Sequence, residues 1–284
     1  MPDFRNFKDF NYINALIMNS LEKIPTSIDI IVGIPRSGLI VSTLIAEYIG
    51  KPSTDLQSYI YGHDNIRMAK SSVAPETNIA EQKNVLLVDD GLGSGVSMQN
   101  AKNMILEHKP DTKITTLSIF VEPFATNKCD IYFQVMRDQF MPWSVLKRGI
   151  EMGCCDIDGV LTEDVPHEYD DDGEKYINFL KNQRPKFRPD RKINTLVTGR
   201  LEKYRGITED WLRQHNVQYG QLIMCQCKNN AERAQQDMGR FKAEVFKRTG
   251  LPLFIESDFR EAGVIKSLCP DKSVFCVRIA NYME

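Results

Sequence analysis

The sequence predicts an α/β protein of two Rossmann-like domains, each a mainly parallel sheet flanked by helices. The main observation is that short apolar runs alternate with segments of helical spacing along the chain, a pattern typical of parallel sheets. The length of 284 residues suits two domains of roughly 150 residues each. The strand and helix series also restarts after residue 148. We therefore predict a first domain over residues 1–147 and a second over residues 148–284.

The first domain begins with a helix whose apolar residues, from Phe10 to Leu21, follow helical spacing. A β-branched run at residues 28–34 then predicts a strand, which ends before the Pro35 to Gly38 segment. Residues 62–80 have no clear periodicity, so we expect a long loop of the kind that often forms a functional lid. The remaining apolar segments predict helices at 39–49 and 98–107 and strands at 85–88, 114–121 and 131–135.

The second domain repeats the alternation. Its predicted strands lie near residues 153–157, 193–197, 222–225, 253–255 and 274–277. Trp211 and Leu212 fall in a segment of helical spacing and are expected in the core. The acidic run at 170–172, followed by Glu174, predicts a solvated loop.

Composition excludes several classes of function. The 36 Lys+Arg nearly balance the 38 Asp+Glu, for a formal net charge of −2, so we expect no nucleic-acid partner, because duplex binding normally requires a basic face. No apolar run approaches the roughly 20 residues of a membrane span, and the first residues lack a leader pattern, which together predict a cytoplasmic protein. The seven cysteines are an odd number and are expected to be reduced. Cys225 and Cys227 lack a second pair, so zinc is not expected.

A glycine-rich segment after the strand at 85–88 is the most informative part of the first domain. It places Asp89 and Asp90 at the carboxyl end of that strand, where open α/β sheets bind ligands. Backbone N–H groups in a glycine-rich turn at a helix N-terminus bind phosphate, and adjacent carboxylates suit vicinal hydroxyls. The pattern therefore indicates a phosphorylated ribose, with turn residues Gly91, Gly93, Ser94, Gly95 and Ser97 on the phosphate.

This segment resembles the phosphoribosyl diphosphate signature of type I phosphoribosyltransferases. The resemblance implies that Asp89 and Asp90 hold the ribose hydroxyls in a catalytic role and that residues 91–97 bind the 5-phosphate. Gly93 departs from the family, which often has threonine there. The family's reaction displaces diphosphate at the anomeric carbon of phosphoribosyl diphosphate, and Mg²⁺ neutralises the leaving group.

Two further segments are similar to parts of the same family. The sequence from Gly33 to Gly38 resembles the diphosphate-binding loop, which implies that Arg36, Ser37 and Gly38 contact diphosphate. The family places its closing lid in the segment where Lys70 and Arg67 stand. In this family a variable hood selects the acceptor. We expect that hood at residues 1–27 and around the aromatic residues Phe124, Phe140 and Trp143.

The second domain opens with two aspartates spaced by one residue. Asp156 and Asp158 end an apolar strand, so both side chains leave the same face or edge of the sheet. One carboxylate could act as nucleophile and the other as acid and base, and both are oxygen ligands suited to Mg²⁺. A later strand ends in Thr198-Gly199-Arg200, whose hydroxyl and backbone could hold a phosphoryl oxygen.

These motifs, in this order, resemble the haloacid dehalogenase superfamily of phosphatases. The resemblance implies that Asp156 is the nucleophile and Asp158 the general acid and base, both also metal ligands. It implies phosphate binding by Thr198, Gly199 and Lys242, and a final metal-binding acid at Glu256 or Asp258, between which the sequence does not choose. Only about thirty residues separate the first two motifs, enough for a flap but not a cap domain. We therefore expect an open site that suits a bulky phosphate substrate.

The two resemblances together predict a bifunctional enzyme. The first domain would transfer ribosyl 5-phosphate from phosphoribosyl diphosphate to an acceptor, and the second would remove the 5-phosphate to leave a ribofuranosyl group. Two-domain ribofuranosyltransferases of bacterial polysaccharide assembly are similar, so the prediction leans to a glycan hydroxyl as acceptor. Alternatives are a nucleobase acceptor, or a module that senses phosphoribosyl diphosphate. The sequence leaves the oligomeric state open, a homo-oligomer included.

Overall fold

The computed structural model describes residues 7–62 and 81–283. It divides the chain into two compact units between Gln139 and Phe140, eight residues before the position expected from the sequence. The shift follows from packing. Phe140 is buried, and its ring and the Leu253 side chain both lie within 3.3 Å of where a Cβ on Gly149 would stand. Phe140 and Trp143 thus belong to the second unit, and their part in an acceptor hood stays a prediction.

The first unit holds a five-stranded parallel sheet in the order β2-β1-β3-β4-β5. Its strands are β1 (Ile30–Gly33), β2 (Ser53–Asp55), β3 (Asn84–Leu92), β4 (Lys113–Val121) and β5 (Ile131–Val135). Its helices are α1 (Phe10–Met18), α2 (Gly38–Ile49), α3 (Leu56–Tyr61) and α4 (Val96–His108), with 3₁₀ turns at Leu21–Lys23 and Pro123–Ala125. All four residues of β1 are buried, as expected for an inner strand of a parallel sheet.

Two details of this unit differ from the sequence prediction. Strand β2 and helix α3 were not predicted, because β2 has only three residues and all of them are polar. Strand β3 also continues past Val88 to Leu92, pairing Gly91 with Phe120 of β4. The glycine-rich turn therefore occupies only residues 93–95, and Asp89, Asp90 and Gly91 are strand residues.

The second unit holds a six-stranded sheet in the order β11-β10-β9-β6-β7-β8. Only the β10–β11 pair is antiparallel among the described pairings. The strands are β6 (Gly153–Cys155), β7 (Ile193–Leu201), β8 (Tyr219–Cys225), β9 (Leu253–Glu256), β10 (Ser273–Cys276) and β11 (Asn281–Tyr282). The helices are α5 (Pro142–Ser144), continued by a π-helical turn at Val145–Gly149, α6 (Glu174–Asn182), α7 (Arg205–Gln214), α8 (Asn230–Ala234), α9 (Met238–Thr249) and α10 (Phe259–Leu268), with 3₁₀ turns at His167–Tyr169 and Glu202–Tyr204.

The predicted α/β class with mainly parallel sheets is confirmed. Strand β6, which delivers Asp156, lies between β9 and β7, so its carboxyl end has a strand end on each side. Trp211 and Leu212 are buried as expected. All seven cysteines are free thiols. Within the described ranges, no helix is long and apolar enough to cross a membrane.

Candidate active sites

In the first unit, two loops meet at the carboxyl ends of β1 and β3. A Cβ on Gly38 would lie 2.8 Å from the Val88 carbonyl oxygen, so only glycine lets α2 begin this close to β3. The Ser37 hydroxyl donates a hydrogen bond to Asp90 Oδ1 at 2.8 Å. The structure therefore joins Ser37 and Asp90, which the sequence assigned to different parts of the ligand. Arg36 is exposed on the same loop, after a cis Pro35–Arg36 peptide bond.

The two aspartates of this site differ in environment. Asp90 is buried and Asp89 is half-buried, and Asp89 Oδ1 accepts a hydrogen bond from the Asp90 backbone N–H at 3.0 Å. Burial, followed by the negative charge of Asp90, raises the pKa of Asp89 to about 8. A carboxyl group with such a raised pKa favours a partner that supplies hydroxyl donors or positive charge. This is the environment that a ribose diol or a metal ion would offer.

The turn before α4 presents backbone N–H groups at a helix N-terminus. Gly95 precedes the helix with φ of +78°, a conformation that favours glycine. Ser94 Oγ accepts a hydrogen bond from the Val96 N–H at 3.4 Å, and Ser97 is exposed in the first helical turn. No described atom lies within 4 Å of where a Cβ on Gly93 would stand. The position therefore has space for the threonine that the family often has, and sterics do not require glycine there.

Lys128 supports this turn and was not predicted from the sequence. Its Nζ donates to the Ser94 carbonyl at 2.7 Å. Its Cδ lies 2.9 Å from where a Cβ on Gly95 would stand, so the lysine stem packs along the glycine. An isolated lysine between Asn127 and Cys129 carries no motif, and only the return of the chain after β4 brings it here.

If the first unit binds phosphoribosyl diphosphate, as the sequence resemblance implies, replacing Lys128 by Met should weaken that binding, because the turn loses its hydrogen bond while the stem stays similar in shape. A single hydrogen bond is worth about 1 kcal/mol, so we expect KM for this substrate to rise about threefold to tenfold with kcat little changed. Steady-state diphosphate release measures both, with Lys113→Met at the exposed start of β4 as control. Equal KM values in both variants would show that Lys128 does not order the turn.

The predicted lid residues Lys70 and Arg67 lie outside the described residues. The catalytic contribution of that segment stays a prediction.

In the second unit, Asp156 follows β6 and faces a buried lysine from α9. Lys242 Nζ lies 2.6 Å from Asp156 Oδ2 and 2.7 Å from Glu256 Oε2. It also lies 2.6 Å from Oε2 of Glu261, a residue that was not predicted. Asp156, Lys242 and Glu256 are all buried. The structure thus unites the predicted nucleophile, the predicted cation and one of the two predicted metal-binding acids.

Glu261 escaped prediction because its position has a common structural explanation. Asp258 caps α10 through a hydrogen bond from the Glu261 N–H to its Oδ1 at 2.9 Å, and an acid at the third helical position is typical of a capping box. Here the Glu261 side chain turns to Lys242 instead. Glu256 Oε1 accepts from the backbone N–H groups of Ser257 and Asp258 at 2.8 and 3.1 Å.

Charge in this cluster is unbalanced, with three carboxylates around one ammonium. Burial raises the pKa of Asp156 well above its ordinary value, and Lys242 lowers it only in part. Burial also raises the pKa of Glu261. Although burial opposes its charge, the surrounding carboxylates hold the pKa of Lys242 well above its ordinary value. The surrounding carboxylates therefore favour the charged form of Lys242 next to Asp156.

Asp158, the predicted acid and base, is paired with Arg200. Arg200 Nη2 donates to Asp158 Oδ1 at 2.7 Å and Arg200 Nε to Oδ2 at 3.0 Å, and the guanidinium is buried. Thr198 Oγ1 also reaches Asp158 Oδ2 at 3.5 Å. Burial raises the pKa of Asp158, but Arg200 outweighs it and holds that pKa below its ordinary value. Thr198 and Asp158 are thus together, as predicted, while the role of the Arg200 side chain was missed.

Removing Arg200 should destabilise the second unit, because Asp158 would be left as an unpaired, largely buried carboxylate. For Arg200→Met we expect a loss of about 3 kcal/mol in the free energy of unfolding, typical of breaking a buried pair from one side. Urea denaturation measures it. Adding Asp158→Asn to Arg200→Met should recover part of the loss, and failure of the double variant to recover any would argue against the pair as the cause.

The two carboxylates between which the sequence did not choose have different roles. Glu256 is fully buried and contacts Lys242, whereas the Asp258 carboxylate caps α10. Both line the same cavity, of about 520 Å³. Gly199 lines it as well. Glu256 is therefore the acid that contacts Lys242 next to Asp156. Asp258 lines the cavity while its carboxylate caps α10.

The walls of this cavity correct the interpretation of the acidic run at 170–172. Asp170 pairs with Arg233 at 2.7 Å, and Asp172 accepts from Tyr204 Oη at 2.7 Å and from the Asn230 N–H at 3.1 Å. Asp171 Oδ1 accepts from the Gly173 N–H at 2.9 Å. The prediction of a solvated loop therefore holds only for the exposed Asp171, because Asp170 and Asp172 fasten the flap to the segment that contains α8. That segment forms a second wall that the sequence did not predict.

The donor atoms of this cavity suit a hard cation. Eight carboxylate side chains and three cationic ones line it, an excess of negative charge that a phosphate substrate could tolerate only with added positive charge. Oxygen-rich sites of this kind fit Mg²⁺. Among the residues that the structure describes, no group of three or more His, Cys, Asp or Glu is already arranged to hold a metal ion.

Comparison with known proteins identifies the first unit. Residues 6–139 match the family model of the phosphoribosyl transferase domain. The match shows a phosphoribosyltransferase domain within these residues. A search of curated protein sequences finds no match.

Solved structures similar to the chain include purine phosphoribosyltransferase from Pyrococcus horikoshii, at 17% identity and a TM-score of 0.36, over 48% of this chain and 92% of that one. Helicobacter pylori xanthine-guanine-hypoxanthine phosphoribosyltransferase is similar at 15% identity and 0.36, over 49% and 92%. Adenine phosphoribosyltransferase from Leishmania tarentolae is similar at 16% identity and 0.32, over 46% and 74%.

Proposed function

We propose that the protein is a bifunctional enzyme that transfers ribosyl 5-phosphate from phosphoribosyl diphosphate to an acceptor and then removes the 5-phosphate. The first activity is supported by the family match of residues 6–139. The second is supported by one observation above all: Asp156 at a strand end, with buried Lys242 and Glu256 in contact, beside an Asp158 held by Arg200. The domains act as residues 1–139 and 140–284.

In the transferase step, Asp89 and Asp90 hold the ribose hydroxyls, and Gly91, Gly93, Ser94, Gly95 and Ser97 surround the 5-phosphate. Arg36, Ser37 and Gly38 face the diphosphate, and the Ser37–Asp90 hydrogen bond orients the two loops toward each other. Mg²⁺, when bound to the diphosphate, supplies charge neutralisation to the leaving group. The bond to diphosphate at the anomeric carbon breaks, and a new bond to the acceptor forms there.

In the phosphatase step, the Asp156 carboxylate attacks phosphorus, and Lys242 offsets negative charge on the transferring group. The bond between phosphorus and the ribose 5-oxygen breaks, and that oxygen leaves with a proton taken from water. Attack of a second water on the aspartyl phosphate then releases inorganic phosphate and restores the Asp156 carboxylate. Asp158, kept anionic by Arg200, accepts the proton of the water that hydrolyses the aspartyl phosphate. Asp156, Asp158 and Glu256 or Asp258 are the residues that would hold Mg²⁺ in this cavity. Thr198 and Gly199 line the phosphate end.

A phosphoribosyl group on an acceptor is the product of the first step and carries the monoester that the second step requires. This relation favours a single reaction sequence. The proposed acceptor is a glycan hydroxyl, because retention of a phosphate is the usual benefit of making a nucleotide from a base, and a linked phosphatase would remove that benefit.

The test is a mass-spectrometric assay of the full chain with Mg²⁺, phosphoribosyl diphosphate and panels of oligosaccharide and nucleobase acceptors, run alongside Asp156→Asn. The proposal predicts that an oligosaccharide gains a phosphopentose with the variant and a bare pentose with the unmodified chain. If only a nucleobase gains mass, the acceptor is a nucleobase and the proposal of a glycan acceptor is wrong. Tight binding of phosphoribosyl diphosphate with no mass gain by any acceptor would indicate a sensing module instead.

A further inference from the structure

A second cavity in the phosphatase unit lies between the carboxyl ends of α6 and α7. It measures about 470 Å³ and is lined by Lys181, Gln183, Arg184, Arg188 and His215, among others. We call it the basic cavity. It shares no lining residue with the cavity around Asp156, and neither proposed activity uses it.

The charge of the basic cavity is of one sign. Lys181, Arg184 and Arg188 are exposed, and no carboxylate belongs to its described lining. A cation near each helix end would complement the helix dipoles. Three cations that converge on one concavity exceed that need, and arginine side chains bind phosphate through two parallel hydrogen bonds.

A buried amide adds a second observation. Gln183 is 9% exposed, and neither its Nε2 nor its Oε1 has a hydrogen-bond partner among the described atoms. Its backbone carbonyl accepts from Trp211 Nε1 at 2.8 Å, which fixes the residue in place. An amide can donate and accept at once, and leaving it without a partner costs stability. A bound ligand with both kinds of group would satisfy it.

Residues in and next to the wall of the basic cavity contact the loop that follows Asp158. Pro185 pairs with Thr162, and Lys186 Nζ donates to the Gly159 carbonyl at 3.1 Å. Thr162 Oγ1 in turn lies 3.3 Å from Asp158 Oδ1. A ligand held by Arg184 and Arg188 would therefore contact the segment that positions the Asp158 loop.

We infer that the basic cavity is a binding site for a ligand that carries two or more phosphate groups. Such a ligand suits three cations and an amide within this volume better than a monoanion does. Its source is either a separate effector or a distant part of a phosphorylated substrate. The inference stands whether or not the second unit is a phosphatase, because it rests on residues outside that site.

The test uses inorganic tripolyphosphate as probe and the fluorescence of Trp211, whose ring lies 4.6 Å from that of His215. Titration is done on the full chain with Trp143→Phe, which leaves Trp211 as the single tryptophan. We expect a saturable change that Arg184→Gln with Arg188→Gln weakens at least about tenfold in Kd, since each charged hydrogen bond contributes at least about that factor.

Arg213→Gln is the matched control, because this arginine is on α7 and its side chain is 75% exposed in a pair with Asp210. Its Kd should stay within about twofold. Gln183→Leu should also weaken binding while leaving the thermal midpoint unchanged or raised, which separates ligand binding from a structural role. Equal Kd values for all variants, or no saturable change at millimolar probe, would overturn the inference.

The two sources are distinguished by model phosphate ester hydrolysis. If added tripolyphosphate changes kcat for the ester without competing with the ester for its site, the ligand is a separate effector. If the double variant Arg184→Gln with Arg188→Gln has an altered KM for phosphorylated oligomers but not for the model ester, the ligand is a distant part of the substrate. If the chain hydrolyses no ester, the phosphatase proposal fails while the fluorescence titration still decides the inference.

Discussion

Asp156→Asn is expected to reduce phosphate ester hydrolysis by about 10⁴-fold or more, the scale seen when a nucleophile is removed from its catalytic group. The amide has no anionic oxygen to attack phosphorus, so no aspartyl phosphate forms. Lys242, Glu256 and Asp158 remain in place and cannot substitute, because each is already engaged in an ion pair. Transfer of ribosyl 5-phosphate should continue, since residues 1–139 form a compact unit of their own.

The stability of this variant separates loss of chemistry from loss of fold. Burial raises the pKa of Asp156 well above its ordinary value, which means that the folded chain holds the ionised carboxylate at a cost. Removing the charge leaves Lys242 with Glu256 and Glu261. The thermal midpoint of Asp156→Asn should therefore be unchanged or higher.

The measurement is hydrolysis of p-nitrophenyl phosphate and diphosphate release on the same preparation, with Asp210→Asn on the exposed side of α7 as control. Hydrolysis by Asp156→Asn within tenfold of the unmodified chain would exclude Asp156 as nucleophile. Loss of both activities with an unchanged thermal midpoint would contradict the hypothesis that the two sites act independently.

The parts of the fold that sequence predicted best are those where the pattern is local. Buried parallel strands such as β1 read as continuous apolar runs, and β5 was predicted at its observed bounds. Strand β2 failed because three residues carry too little pattern. The end of β3 was misplaced because Asp89, Asp90 and Gly91 have low strand propensity, yet pairing with β4 keeps them in the ladder.

The candidate sites show the same division. Asp156 follows β6 directly, and Asp89 and Asp90 lie in the last part of β3. The position of these carboxylates at a sheet edge therefore follows from the motif. Arg200 and Glu261 act through contacts that span 42 residues and 19 residues of chain, and each has an adequate local explanation as a strand end or a helix cap. The contacts of Arg200 and Glu261 depend on the direction of their side chains. That direction is set by packing, which the spacing of residues in the sequence does not encode.

The acidic run at 170–172 is the clearest case of a misleading local signal. Three successive aspartates normally repel one another and remain in solvent. Here each one has a different partner set, on Arg233, on the α6 N-terminus and on Tyr204 with Asn230. Those partners lie on elements that the sequence pattern did not predict, so the wall that they build was missed as well.

Asp89→Asn combined with Asp90→Asn is expected to reduce diphosphate release by about 10³-fold while leaving ester hydrolysis unchanged. The ribose hydroxyls lose two carboxylate acceptors, whose ionised form the bound hydroxyl donors favour, and charge-assisted hydrogen bonds are worth about 2 kcal/mol each. Asp90→Asn alone also weakens the hydrogen bond from Ser37 that joins the two loops. Asp111→Asn, an exposed residue before β4, is the control. Retained diphosphate release in the double variant would remove these residues from the site.

The raised pKa of Asp89 predicts a pH dependence of stability in the chain without ligand. Burial and the charge of Asp90 raise the pKa of Asp89 to about 8, whereas the unfolded chain releases that proton near 4. Between these values the folded chain binds more protons, so its stability falls as pH rises from about 4 to 8. Asp89→Asn has no proton to lose and should therefore unfold at higher urea than the unmodified chain at pH 8, with a smaller difference at pH 5. Phosphoribosyl diphosphate should narrow the gap at pH 8, because the bound ribose supplies the donors that the ionised pair lacks, and an Asp89→Asn chain that is less stable at pH 8 would contradict the raised pKa.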